Sequence, residues 1–248
     1  MSVIAQPSVQ SLFIEMQFNG QILSTATGFL VNTSKDTYLI TNRHNVTGRN
    51  QETGDLLSKT GGIPNQISIL HNKKGALGQW VSKLEPLLVD GVPRWHEHPT
   101  LGATADFVAL SLANLVDVEQ IPYDLANPGP DIFVGPADSI SVIGFPFGMA
   151  AGGVFGVWAT GFLASEPAIN YGGLPIQLID CRSRQGQSGS PVIAYRSGGM
   201  VAMSGGGSAA FGGPVSKFIG IYSGRINAES DIGVVWKASA IKELIDSL

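Results

Sequence analysis

The chain of 248 residues has a single cysteine, Cys181, so no intramolecular disulfide can form and the fold must hold together through its own core. One cysteine suits a reducing compartment. The start, Met1-Ser2-Val3-Ile4-Ala5-Gln6-Pro7, has no basic cluster and no apolar stretch of signal-peptide length, and nothing approaches the ~18 apolar residues of a membrane span. The expectation is a cytoplasmic protein that does not enter a membrane. Charge is also scarce, with 14% Asp, Glu, Lys and Arg, a formal net charge of −4 and no basic run. Nucleic acid is therefore not an expected partner. Histidine is limited to His44, His71, His96 and His98, and none follows them.

What is plentiful is glycine, at 32 residues, with 14 prolines and 44% hydrophobic content. Short apolar runs separated by such turn formers predict an all-β sandwich or barrel. Asn19-Gly20 between two apolar runs predicts a type I′ hairpin. In the first half, strands are expected at 12–18, 21–24, 27–31, 37–41, 67–71, 80–84 and 107–112. In the second, they are expected at 140–144, 154–163, 176–180, 190–194, 218–222 and 232–236. Residues 113–137 read as a linker, and 198–213, rich in glycine, as a flap. Ile241, Leu244, Ile245 and Leu248 recur at helical spacing and predict a short C-terminal helix.

One stretch carries chemistry: Gly186-Gln187-Ser188-Gly189-Ser190-Pro191. It sets a hydroxyl among glycines that let backbone N–H groups converge, but a serine needs a histidine base and an orienting carboxylate to become a nucleophile. Because every histidine precedes Ser188, the Ser-acid-His order of α/β-hydrolases is excluded, and position 190 breaks their G-x-S-x-G elbow. An acid, His, Ser order leaves little beyond Glu15 and Asp36 ahead of His44, neither in a suggestive context, so the order His, Asp, Ser remains. His44 follows the strand-like run Leu39-Ile40-Thr41-Asn42-Arg43, and Asp106 is pressed against the apolar run Phe107-Val108-Ala109-Leu110, where a carboxylate needs a partner. The candidates are His44, Asp106 and Ser188. Cys181 reads as a small buried residue.

These segments resemble the trypsin-like (chymotrypsin-fold) serine peptidases, and more closely their disulfide-poor bacterial Deg, or high-temperature-requirement, branch. Thr27-Gly28-Phe29-Leu30-Val31 resembles the strand before that family's histidine, and Asp106-Phe107-Val108-Ala109 its acid segment. Val142-Ile143-Gly144-Phe145-Pro146-Phe147-Gly148 resembles the opening of its second barrel, and Phe218-Ile219-Gly220-Ile221-Tyr222-Ser223 the strand that pairs with substrate. The resemblance implies two six-stranded antiparallel β-barrels, residues 1–120 and 121–248, with the site between them and a C-terminal helix. No peptide-binding module is expected beyond that helix. It implies a serine endopeptidase acting on protein or peptide through an acyl-enzyme, with an oxyanion hole from the N–H groups of Gly186 and Ser188.

It also implies a substrate pocket with Arg182 at its base and Ser223-Gly224-Arg225 along its wall, and a positive base would favour an acidic side chain. Gln187 departs from the digestive enzymes, whose aspartate at that place pairs with a newly cut N-terminus. Activation by N-terminal cleavage is not expected, so the loop must be ordered by its own contacts, an oligomer or a ligand. Two other readings stay open: a catalytically silent binding module on the same fold, and an esterase using the same triad. Trp95-His96-Glu97-His98-Pro99 offers two histidines at strand spacing, but lacks a third ligand or a C-x-x-C or H-E-x-x-H frame. No metal or other cofactor is expected.

Overall fold

A computed structural model describes residues 4–33, 35–227 and 229–248; Met1 to Val3, part of the segment read for a leader, lie outside the described residues. After a short helix α1 (Gln6–Gln10), the chain forms β1 (Ser11–Phe18), β2 (Gln21–Asn32) and β3 (Thr37–Thr41). Asn19 and Gly20 join the first two with φ of 50° and 84°, the positive pair a type I′ turn demands. Helix α2 (Arg43–Thr47) follows, then β4 (Gln66–Asn72) and β5 (Trp80–Pro86). A small hairpin, β6 (Leu88–Val89) with β7 (Val92–Pro93), leads to β8 (Trp95–His96) and β9 (Val108–Ser111).

These strands give a seven-stranded antiparallel sheet in the order β5-β4-β1-β2-β3-β9-β8. Two details differ from the expected strands. The segments 21–24 and 27–31 are one strand, since Thr25 and Ala26 also pair with β1, and Leu23 is accommodated as a bulge opposite Met16 and Gln17. Trp95-His96, outside the strands expected from the sequence, pairs with Leu110 and Ala109 at the sheet edge. Alternation sets the inner face: Leu12, Ile14 and Met16 of β1 are buried with Leu30, Leu39, Ile67, Ile69 and Leu110.

The second half is a closed antiparallel barrel of six strands. In hydrogen-bonded order these are β10 (Ser139–Gly144), β11 (Val157–Leu163), β12 (Ile176–Asp180), β17 (Ile232–Lys237), β16 (Val215–Arg225) and β13 (Pro191–Arg196). The glycine-rich segment expected as a flap instead folds into a hairpin of β14 (Gly199–Ala202) and β15 (Ser208–Phe211). Backbone pairing of Gly199 with Phe211 and Ala202 with Ser208 leaves only its tip as turn. Cys181 lies in this barrel's core, its thiol donating to the Ala159 carbonyl at 3.3 Å. Burial pushes that thiol up to about 11, so it is not a ready thiolate.

A third apolar cluster belongs to neither half. It joins Phe29, Ile40 and Phe107 of the first sheet to Ile193, Ile221 and Trp236 of the barrel. Helix α3 (Ala238–Asp246) adds Ile241, Leu244 and Ile245 to the same cluster. Phe107 meets Trp236 edge-on, with ring centroids 5.5 Å apart. The segment between the halves has no strand of its own, yet it is tied down: Tyr123 and Leu125 are buried, and Tyr123 N–H donates to the Leu30 carbonyl at 2.8 Å. The residues read as a linker are thus part of the packing.

His71, at the end of β4, is 1% exposed, and among the described residues neither ring nitrogen has a hydrogen-bond partner. Burial, with a smaller contribution from the Lys83 charge, lowers its pKa to about 4. The unfolded chain therefore takes up this proton near pH 6.5 and the folded protein only near pH 4. Between those values the unfolded state binds more protons, and stability falls as the pH drops. The loss from this ring is expected to be on the order of 3 kcal/mol. Urea unfolding at pH 6.5 and 4.5 should show it, and His71→Leu should flatten the slope.

Candidate active site

The carboxylate comes first, because its position is set by the sheet. β3 pairs with β9 so that Thr41 lies opposite Val108, which brings the residues just beyond these strand ends together although His44 and Asp106 are 62 positions apart. Asn42 fixes the approach, its side-chain amide donating to the Asp106 carbonyl oxygen at 2.6 Å. The first turn of α2 then aims His44 at the acid. Its backbone N–H donates to Asp106 Oδ1 at 3.0 Å, and its ring Nδ1 lies 2.7 Å from Oδ2. Asp106 is 3% exposed, so these donors replace the water it has lost. A further donor crosses from the barrel, where the Ser223 hydroxyl of β16 also bonds Asp106 Oδ2.

Ser188 reaches the same point through Ser223. Its hydroxyl donates to the Ser223 carbonyl at 3.4 Å, a long and weak bond. Among the described residues no hydrogen bond joins Ser188 Oγ to the His44 ring. The structure thus pairs His44 with Asp106 directly and links Ser188 to them by way of Ser223.

The loop around Ser188 is packed against the first sheet and the turn after β10. Gly186 has φ 96°, and a Cβ there would lie 2.3 Å from the Phe145 carbonyl oxygen. Gly189 has φ 85°, and a Cβ would lie 2.0 Å from the Thr27 carbonyl oxygen. Both places need glycine for conformation and for space. Thr27 is the clamp between the parts: its hydroxyl donates to the Gly186 carbonyl at 2.9 Å and accepts from Phe145 N–H at 3.2 Å, while its own N–H donates to the Ser188 carbonyl at 3.0 Å.

Gln187 closes the loop on itself. Its N–H donates to the Arg184 carbonyl at 3.1 Å, and its Oε1 accepts from Arg184 N–H at 2.7 Å. The side chain is wholly buried, where the sequence offered no aspartate to play a part. Phe147 N–H donates to the Gln185 carbonyl at 2.6 Å. In a trans peptide the N–H opposes the C=O, so this bond turns the Gly186 N–H away from Phe147. Among the described residues, neither Gly186 N–H nor Ser188 N–H donates to any protein acceptor.

A family model described as the trypsin-like peptidase domain matches residues 26–203, a span that holds Thr27, His44, Asp106 and Ser188. The chain belongs to this family. Among solved structures, a serine endoprotease from Yersinia pestis is similar at 15% identity and TM-score 0.54, over 99% of this chain and 67% of its own. A protease from M. tuberculosis in its active form is similar at 16% identity and TM-score 0.52, over 97% and 81%. A thermostable serine protease from an extremophilic microorganism is similar at 12% identity and TM-score 0.51, over 98% of both chains. These likenesses show a shared fold. No curated protein is similar enough to this chain to match it.

In this trypsin-like peptidase the expected pocket residues are arranged differently from the sequence reading. Arg182 is exposed rather than at the base of a pocket, and among the described residues it makes no hydrogen bond or ion pair. Burial alternates along Cys181, Arg182 and Ser183, so the inward place falls to Ser183, wholly buried and bonded to the Tyr222 hydroxyl. Arg225 is exposed too, Ser223 is half-buried, and Arg184 lies 3.4 Å from Asp231 at the surface. Thr27, Ser183, Tyr222 and the acid-binding part of Ser223 went unnoticed in the sequence. Thr27, at the head of one quoted motif, and Tyr222 and Ser223, at the end of another, carried a signal, and Ser183 carried none.

The two neighbouring histidines diverge. His96 packs its exposed ring on Tyr38, with centroids 5.9 Å apart, while buried His98 accepts from Thr100 and Leu101 N–H at Nδ1. Among the described residues no group of three or more His, Cys, Asp or Glu side chains is placed to hold a metal. The clamp at Thr27 makes a specific demand. Thr27→Val keeps the shape but leaves the buried Phe145 N–H unpaired, at a cost of about 1–3 kcal/mol. Urea unfolding should register that loss, together with slower active-site labelling as the loop loosens.

Proposed function

We propose that this trypsin-like peptidase is a serine endopeptidase acting on protein or peptide substrates. His44 takes the proton of Ser188 as Oγ attacks the carbonyl carbon, and the new oxyanion lies against the N–H groups of Gly186 and Ser188. Asp106 holds the ring with Nδ1 protonated and steadies the imidazolium. The same proton then passes to the leaving amine, and water, deprotonated by His44, releases the acyl group and restores the serine. The observation that carries this reading is the buried Asp106 carboxylate, whose Oδ2 lies 2.7 Å from His44 Nδ1 and also accepts from the hydroxyl of Ser223, whose carbonyl holds Ser188. Such a partnered acid next to a serine whose loop presents two unused N–H groups fits acyl transfer.

Ser188 must leave the Ser223 carbonyl to meet the imidazole. That bond, at 3.4 Å, is weak enough for a substrate to displace it. The loop needs no cut N-terminus for its order, since Gln187 and Thr27 supply the contacts that fix it. This favours a site shaped before substrate arrives.

A fluorophosphonate probe should label the native protein and not Ser188→Ala, and hydrolysis of casein should fall by about 10⁴-fold or more in that variant. Equal labelling of both proteins would end the reading and leave a binding module. Turnover of nitrophenyl esters without cleavage of any peptide would point to the esterase.

A further inference from the structure

Tyr222 sits immediately beside the nucleophile loop. Its carbonyl accepts from Gly189 N–H at 3.0 Å and its N–H donates to the Ser190 carbonyl at 2.9 Å, which ties it to the two residues after Ser188. A register shift falls at Ser223, whose hydroxyl turns to Asp106 in the cleft, while the Tyr222 ring packs into the barrel core beneath the loop. There it lies between the 181–184 segment and β17. Its hydroxyl bonds Ser183, and its Cε2 presses so close to Gly233 that a Cβ added there would lie 2.8 Å away. The ring is 3% exposed and Ser183 wholly buried. Desolvation pushes the phenol up to about 12, in keeping with a site closed to water.

In the trypsin-like family to which the chain belongs, the side chain next to the attacked carbonyl enters a slot beside the nucleophile loop, and here Ser183, Tyr222 and Gly233 meet in that region. We propose that Tyr222 fills that slot and so sets specificity, restricting the acyl-side residue to small side chains such as alanine, serine or glycine. This rests on the peptidase reading above. An aromatic ring of this size takes the room a leucine or phenylalanine of the substrate would need, and the interior does not yield such volume cheaply. Arg182 cannot act as an acid-selecting base, because its side chain stands in solvent while Ser183 and Tyr222 close the floor. The bulk of one side chain replaces charge as the selector.

The test separates the slot from the nucleophile. A simple fluorophosphonate reports whether Ser188 reacts, and a pair of peptide diphenyl phosphonates, with alanine or leucine at the acyl position, reports the slot. The native protein should react with the alanine probe at least ~10-fold faster than with the leucine probe. Tyr222→Ala should shift that ratio at least ~10-fold toward leucine. Tyr222→Phe, which keeps the filling and loses only the hydroxyl, should retain the native preference. If Tyr222→Ala does not fold, Tyr222→Val should shift the ratio in the same direction.

Fluorophosphonate labelling of every variant with an unchanged alanine-to-leucine ratio would overturn the proposal, as would a native preference for leucine. Failure of the fluorophosphonate on native protein would instead strike the peptidase reading. In that case indole decides: a rise in Tm of Tyr222→Ala but not of native protein supports the filled slot, and no rise overturns it.

Discussion

A carboxylate removed from water must find its donors inside the protein, and Asp106 takes them from both halves of the chain. His44 approaches with backbone and ring from the sheet, and Ser223 crosses over from the barrel. Losing either side would leave a buried charge without its partners, which costs far more than an ordinary hydrogen bond. The sheet register, the start of α2 and the end of β16 are all constrained by this one group. The site depends on how the two halves meet.

Much of this was legible in the residues because the chemistry demands particular side chains in a particular order. Four histidines, all before Ser188, left little freedom, and an aspartate against an apolar run had to be satisfied. Strand positions followed from alternation and from turn formers such as Asn19-Gly20. The misses share a physical cause: they depend on alternation through irregular segments or on partners far away in sequence. Arg182 and Ser183 differ by one position, and nothing local says which turns inward. The bulge at Leu23 of β2 is defined only by its pairing with Met16 and Gln17 of β1, a partner strand the local sequence does not name. The two-residue β8 exists only because β9 offers it an edge.

The nucleophile loop shows how one substitution changes the way a shape is maintained. A carboxylate at position 187 would call for a distant cation. The amide instead uses a neutral acceptor on Arg184 N–H, three residues away, and so makes the loop a local structure. Thr27 then anchors that local unit to the first sheet through two hydrogen bonds, to the Gly186 and Ser188 carbonyls, and holds Phe145 N–H beside it with a third. The loop is held by neighbours that exist as soon as the two halves have docked.

Helix α3 supplies Ile241, Leu244 and Ile245 to the cluster where Phe29 and Phe107 meet Trp236. During translation this helix leaves the ribosome after every other element described. Until it docks, the shared cluster lacks one wall and the halves have less reason to stay together. Because these helix residues follow β17, the last strand of the barrel along the chain, the cluster between the halves gains its final wall only after every strand of both halves has been made.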